Sequence, residues 1–219
     1  MIVNERITAY INSLEMPGSA ICEEIKKEAL ADRVPIIRSE TASLLKFLIS
    51  LVKPMRILEV GTAVGYSAIM MSEVMPKGAK ITTIEKFEPR IPIAKENFRR
   101  AGKEDVITLL EGDALEWLKL LHGPYDMIFM DAAKGQYIHF FPEIMRLLAD
   151  GGLLISDNIL RGGDFVESRF AVTRRNRTIH SRMREYLYTL KHTDGLVTSL
   201  IPIGDGVAVS TKQSKIIEK

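Results

Sequence analysis

Residues 56–68 read RILEVGTAVGYSA. RILEV is a short run rich in strand formers, and Gly61 and Gly65 break it before YSAIMMSEV resumes with helical spacing. A strand that enters a glycine turn and leaves as a helix is the first half of a βα unit. The spacing is G-x-x-x-G, which lacks the G-x-G-x-x-G of a dinucleotide pyrophosphate cradle. Glu59, at the end of the strand, would repel phosphate and favour a cation.

The same alternation continues outward. KITTIE, VITLLE, YDMIFMD and GLLISDN are short apolar runs, each followed by a longer helical pattern. Such alternation predicts a parallel sheet with right-handed crossovers. LVTSLIPI and GVAVS are joined only through Gly204, Asp205 and the leading Gly206, a hairpin signal that adds an antiparallel strand at the end of the sheet. Before the sheet, Ile7, Ile11 and Leu14, then Ile21, Ile25 and Leu30, then Leu44, Leu45, Leu48 and Leu51 mark three helices, with Ser39 as N-cap of the third. The expectation is one α/β domain over 1–219: a mostly parallel seven-stranded sheet with one antiparallel strand, a helical preface over 1–52, a ligand-binding core over 53–210 and a tail over 211–219.

The 219 residues, 46% hydrophobic and 26% charged, fit one core. Glu5 and Arg6 stand where a signal peptide needs apolar residues, and no run approaches the roughly 18 apolar residues of a membrane span, so a cytoplasmic protein without membrane contact is expected. The single Cys22 excludes an internal disulfide. The net charge of +2 is uneven: residues 161–192 carry +5 and the remainder −3. That stretch is either a solvated helix face or a patch that meets phosphates.

Ligands of open parallel sheets sit at the C-terminal strand ends. There stand Glu59, then Glu85, 20 residues after Gly65 and able to accept ribose hydroxyls, then Asp113, able to take an adenine amino proton. A ligand with a ribose and an ammonium and no phosphate suits them, and S-adenosylmethionine has these properties. Each acid alone could equally be an ordinary helix cap. The fourth and fifth strands end in Asp131 and in Asp157-Asn158, an all-oxygen set suited to a hard cation, Mg²⁺ or Mn²⁺. Lys134, three residues past Asp131, is close enough to serve as general base beside such a cation.

LEVGTAVGYSA, the acids Glu85 and Asp113, MDAAKGQY and LLISDN together resemble the metal-dependent, S-adenosylmethionine-dependent O-methyltransferases of catechol and caffeoyl-CoA type, over roughly residues 34–210. The resemblance implies the Rossmann-like class I methyltransferase fold. It implies Asp131, Asp157 and Asn158 as metal ligands and Lys134 as base, with Asp131 also counted in the catalytic and cofactor sets. Glu59, Gly61, Gly65, Ser67, Glu85 and Asp113 would hold the cofactor, with Ile36 of the VPII segment covering it. A homodimer through the N-terminal helices is implied as well.

Within that family, NILRGGDF, RRNRTIHSRMREYL and TSLIPIGDGVAVS look most like the bacterial tRNA 5-hydroxyuridine methyltransferases. The implied substrate is the wobble base of a tRNA anticodon loop, whose 5-hydroxyl and 4-carbonyl form a vicinal oxygen pair like that of catechol. Arg161, Arg174, Arg175 and Arg177 would then meet the RNA backbone. The alternative acceptor is a small catechol-type molecule or a coenzyme A thioester. A nicotinamide oxidoreductase would need the missing glycine loop, and a non-catalytic RNA-binding module would have no use for Lys134 beside a metal cage.

Overall fold

The computed structural model describes residues 3–168, 170 and 172–213, with only the backbone of Arg161. Three helices lead: α1 (Glu5–Ser13), α2 (Ala20–Ala31) and α3 (Ser39–Val52). Five βα units follow as β1 (Arg56–Val60), α4 (Tyr66–Val74), β2 (Lys80–Glu85), α5 (Ile91–Arg100), β3 (Ile107–Glu111), α6 (Ala114–Leu120), β4 (Tyr125–Met130), α7 (Tyr137–Leu147), β5 (Leu148–Ser156) and α8 (Arg177–His192). A hairpin of β6 (Leu196–Ile201) and β7 (Val207–Lys212) ends the chain's described part.

The seven strands stand in the order β3-β2-β1-β4-β5-β7-β6. β7 runs antiparallel to both neighbours and the rest are parallel, so the antiparallel strand lies one place in from the edge rather than at the end of the sheet. β1 and β4 occupy the centre and are buried almost throughout, which is why their sequences are mostly apolar, with Glu59 the buried exception in β1.

Period-two geometry divides those runs between two layers. Ile57 and Phe129 join Leu45, Ile49 and Ile69 on the face covered by α2, α3 and α4. Leu58, Ile128 and Leu154 join Leu118, Ile144, Tyr137 and Tyr186 on the face covered by α6, α7 and α8. Helices on both faces make the sheet doubly wound and leave the C-terminal strand edge as the open one.

Three further expectations require correction. Arg38, not Ser39, is the N-cap of α3; Ser39 is its first helical residue and accepts a hydrogen bond from Lys26 Nζ at 3.2 Å. The core runs past 210, because Thr211 pairs with Leu153 and Lys212 with Leu196; of the expected tail, 214–219 lie outside the described residues. The helix after β5 begins only at Arg177, behind two short 3₁₀ turns at Arg161–Gly163 and Arg174–Asn176. Among the described residues nothing covers the apolar face of α1, and Ile7, Ile11 and Leu14 are all exposed. Among the described residues no helix is long and apolar enough to cross a membrane.

Candidate functional site

A cavity of about 970 Å³ opens at the C-terminal edge of the sheet. Its walls are residues 35–38 before α3, the turn after β1, the ends of β2 and β3, and the ends of β4 and β5. Two glycines allow those walls to meet. Gly61 has φ +105°, and a Cβ there would fall 2.2 Å from the Asp131 carbonyl oxygen, so only glycine lets β1 and β4 finish so close. Gly65 has φ +86°, caps α4, and would drive a Cβ to 2.5 Å from the Phe98 ring; it shapes the turn without lining the cavity.

At one end stand Glu85 and Asp113. Glu85 Oε2 accepts the Ala63 amide at 2.7 Å and Oε1 accepts the Lys86 and Phe87 amides at 3.0 and 2.7 Å, which fixes the carboxylate at the cavity wall. Asp113 also lines the cavity: Oδ1 caps α6 through the Leu115 amide at 2.9 Å, and Oδ2 pairs with Lys86 Nζ at 2.7 Å. The lysine pair and the backbone bond hold its carboxyl below the usual range. Asp113 thus caps α6 while its carboxylate stays on the cavity wall.

Glu59 differs from the expectation of a ligand-facing acid. It is fully buried behind the glycine turn and does not line the cavity. Ser67 Oγ and Thr83 Oγ1 each donate to it at 2.5 Å, while Thr83 and Thr62 share a 2.6 Å bond. Burial pushes its carboxyl up to about 8 against those two donors. Ser67 does line the cavity, so Glu59 is linked to the cavity wall through the serine that donates to it.

At the other end the structure brings Asp131, Lys134, Asp157 and Asn158 together on the cavity wall. Asp157 is only 2% exposed; its Oδ1 accepts the Asn158 amide at 2.8 Å and a long 3.4 Å bond from Thr41 Oγ1. Asn158 adopts φ +60°, a left-handed conformation that asparagine tolerates better than most residues. Its Nδ2 donates to Asp131 Oδ1 at 3.0 Å, and Lys134 Nζ lies 3.8 Å from the same oxygen. Burial raises the carboxyl of both acids, and the proximity of Asp131 raises Asp157 further.

Among the described residues no three His, Cys, Asp or Glu side chains cluster as a metal site. Two carboxylates and a carboxamide do converge. Asn158 spends an N–H on Asp131, and among the described residues its carbonyl oxygen and the Oδ2 atoms of both acids carry no hydrogen bond. Crowded, desolvated anions with unpartnered oxygens are the donor set of a hard divalent cation, and the residues fit one.

Several participants escaped the sequence reading. Arg38 makes a bidentate pair with Asp205 at 3.0–3.2 Å, tying the segment over the cavity to the β6–β7 turn, and both line the cavity. The buried Tyr137 hydroxyl contacts the carbonyls of Met130 at 3.0 Å and Asp157 at 3.2 Å, bridging the ends of β4 and β5. Its signal was an aromatic directly after MDAAKGQ, but only the fold shows its hydroxyl facing two carbonyls. Ile36 lines the cavity as expected. Arg174, Arg175 and Arg177 do not line it; the first two are exposed, and Arg177 lies 5.8 Å over the exposed Phe170 ring. The side chain of Arg161 lies outside the described residues.

Comparison with known proteins agrees with this fold. A family model described as O-methyltransferase matches residues 13–213. A catechol O-methyltransferase of Niastella koreensis is 35% identical over 127 residues, 56% of this chain and 58% of that protein; the chain thus matches somewhat over half the length of that curated relative. The crystal structure of a candidate caffeoyl-CoA O-methyltransferase from Staphylococcus aureus is 33% identical, with TM-score 0.87 over 95% of this chain and all of that one. An SAH-bound Podospora anserina methyltransferase is 26% identical, with TM-score 0.86 over 96% and 95% of the two chains.

Proposed function

The chain belongs to the O-methyltransferase family, and on that basis we propose that it transfers the methyl group of S-adenosylmethionine, with Mg²⁺ or Mn²⁺, to the 5-hydroxyl of 5-hydroxyuridine at the wobble position of a tRNA. The observation that carries the catalytic reading is the convergence of Asp131, Lys134, Asp157 and Asn158 on one wall of a cavity whose far end presents Glu85.

Glu85, held by three backbone amides, keeps acceptor capacity for ribose hydroxyls. Ser67, gripped by Glu59, offers its hydroxyl to the amino-acid end of the cofactor, and Ile36 supplies apolar cover. Asp131, Asp157 and Asn158 would hold the cation, which when bound supplies Lewis acidity to a chelating hydroxyl. Lys134 Nζ takes the hydroxyl proton. In the net reaction an O–H bond and the S–CH₃ bond break, an O–CH₃ bond forms, the sulfonium electron pair stays on sulfur, and the proton leaves on Lys134.

The RNA acceptor is supported by the basic stretch after the metal ligands, with Arg174 and Arg175 exposed and Arg177 beside an exposed aromatic. Identity to a protein named catechol O-methyltransferase supports a second reading, a small catechol-type acceptor with the same mechanism. A homodimer in the cytoplasm completes the proposal; the uncovered face of α1, where Tyr10 is 66% exposed beside Ile7, Ile11 and Leu14, is apolar enough to pack against a second copy.

The test is transfer of labelled methyl from S-adenosylmethionine, with Mg²⁺ and then with chelator, to tRNA containing 5-hydroxyuridine and to a catechol panel. Chelator-sensitive labelling of the tRNA is the expected result. Labelling of catechols alone would replace the RNA reading with the second one.

A further inference from the structure

The proposed base differs from a catechol along one edge. Beside its vicinal oxygens, 5-hydroxyuracil carries an N3–H donor and a C2 carbonyl acceptor, where a catechol has only C–H. A pocket that selects the base needs one group that accepts and donates in the same plane, and a carboxamide does both.

At the metal-ligand end of the cavity most polar side chains are already engaged. Arg38 is committed to Asp205, the Asn158 amide nitrogen to Asp131, and Thr41 to Asp157. Gln136 is different: it lines the same cavity, is exposed, and its carboxamide makes no hydrogen bond among the described residues. It closes the 3₁₀ turn Lys134–Gln136 and so stands two residues from the proposed base. Phe140, one helical turn further, lies on the same side and also lines the cavity, giving a flat ring an apolar wall beside a free amide.

The backbone under Gln136 is fixed while its side chain is uncommitted. Its own amide donates to Ala133 O at 2.8 Å, and Arg182 Nη1 of α8 donates to Gly135 O at 3.2 Å. Ile179 packs against the same glycine, where a Cβ would meet its Cγ1 at 3.6 Å. A side chain on such a platform discriminates by hydrogen bonding without a large ordering cost to the main chain.

Resting on the RNA reading above, we propose that Gln136 reads the imide edge of the acceptor base, its Oε1 accepting from N3–H and its Nε2 donating to the adjacent ring carbonyl.

The experiment compares kcat/KM on two anticodon-loop RNAs, one with 5-hydroxyuridine and one with its N3-methyl derivative, which keeps the 5-hydroxyl and 4-carbonyl. Wild-type protein should favour the N3–H RNA by about tenfold or more, and Gln136→Ala should bring the two within about threefold. A purely structural role would slow both RNAs equally and leave the ratio at its wild-type value. That result, or a wild-type ratio near one, overturns the Gln136 assignment while the RNA reading stands. Failure of the wild type to methylate the N3–H RNA at all overturns the RNA reading and the Gln136 assignment with it.

Discussion

The Tyr137 hydroxyl lies 3.2 Å from the backbone carbonyl of Asp157, and 3.0 Å from that of Met130, so one phenol ties together the two strand ends that carry the metal-type ligands. Burial holds the phenol in its protonated form, which preserves the donor. Tyr137→Phe removes the hydroxyl from the Asp157 carbonyl, while Met130 O keeps the Asp157 amide at 2.9 Å; the change should cost about 1–3 kcal/mol, read as a lower thermal midpoint. It should also raise the Mn²⁺ concentration needed for half-saturation, followed by electron paramagnetic resonance. Unchanged Mn²⁺ binding would restrict Tyr137 to a packing role.

Lys134 is expected to remove the acceptor proton. Lys134→Ala should lower kcat by about 10²–10⁴, with S-adenosylmethionine binding by calorimetry close to wild type. Full turnover in this variant would assign the base elsewhere.

Asp157→Ala removes one of the two carboxylates that face each other at the ends of β4 and β5. Metal-dependent turnover should be lost and Mn²⁺ binding with it, while cofactor affinity persists because the residues around Glu85 are untouched. Retention of chelator-sensitive activity would contradict the ligand role.

Glu59 predicts a pH dependence of stability. Its carboxyl is raised to about 8 in the fold from an ordinary value near 4.5, so the folded state binds the proton more tightly than the unfolded chain. The favourable contribution is complete below pH 4.5 and is lost as pH rises through about 8, at no more than about 1.4 kcal/mol per pH unit. The thermal midpoint should therefore fall from pH 6 to pH 9, and fall less in Glu59→Gln. Parallel profiles for the two proteins would show that Glu59 is ionised throughout.

If α8 and its preceding turn meet an RNA backbone, then Arg174→Ala, Arg175→Ala and Arg177→Ala should each weaken binding of anticodon-loop RNA. Each should also reduce the slope of log K against log salt by roughly 0.7–0.9. A slope that stays constant across all three would leave these arginines as ordinary surface.

The fold was legible because its signals are local. RILEV followed by two glycines, and four further apolar runs that end in acids, state the order of βα units without reference to distant residues. Chain periodicity also assigns Asp131, Asp157 and Asn158 to the same sheet edge, since parallel strands all finish on one side.

What the sequence could not supply was the side on which each acid faces. Glu59, Glu85 and Asp113 look alike in sequence, each at or just past the end of a strand, yet one is sealed behind the glycine turn by Ser67 and Thr83, one is held at the wall by backbone amides, and one caps α6. Likewise Tyr137, Arg38 and Gln136 gain meaning only from carbonyls, carboxylates and empty space contributed by remote segments. Sequence alone determined the chemistry available at the sheet edge, because strand periodicity is set by the backbone. Tertiary packing decided which groups are free to use it, because hydrogen-bond partners and solvent exclusion come from residues as far as 167 positions away.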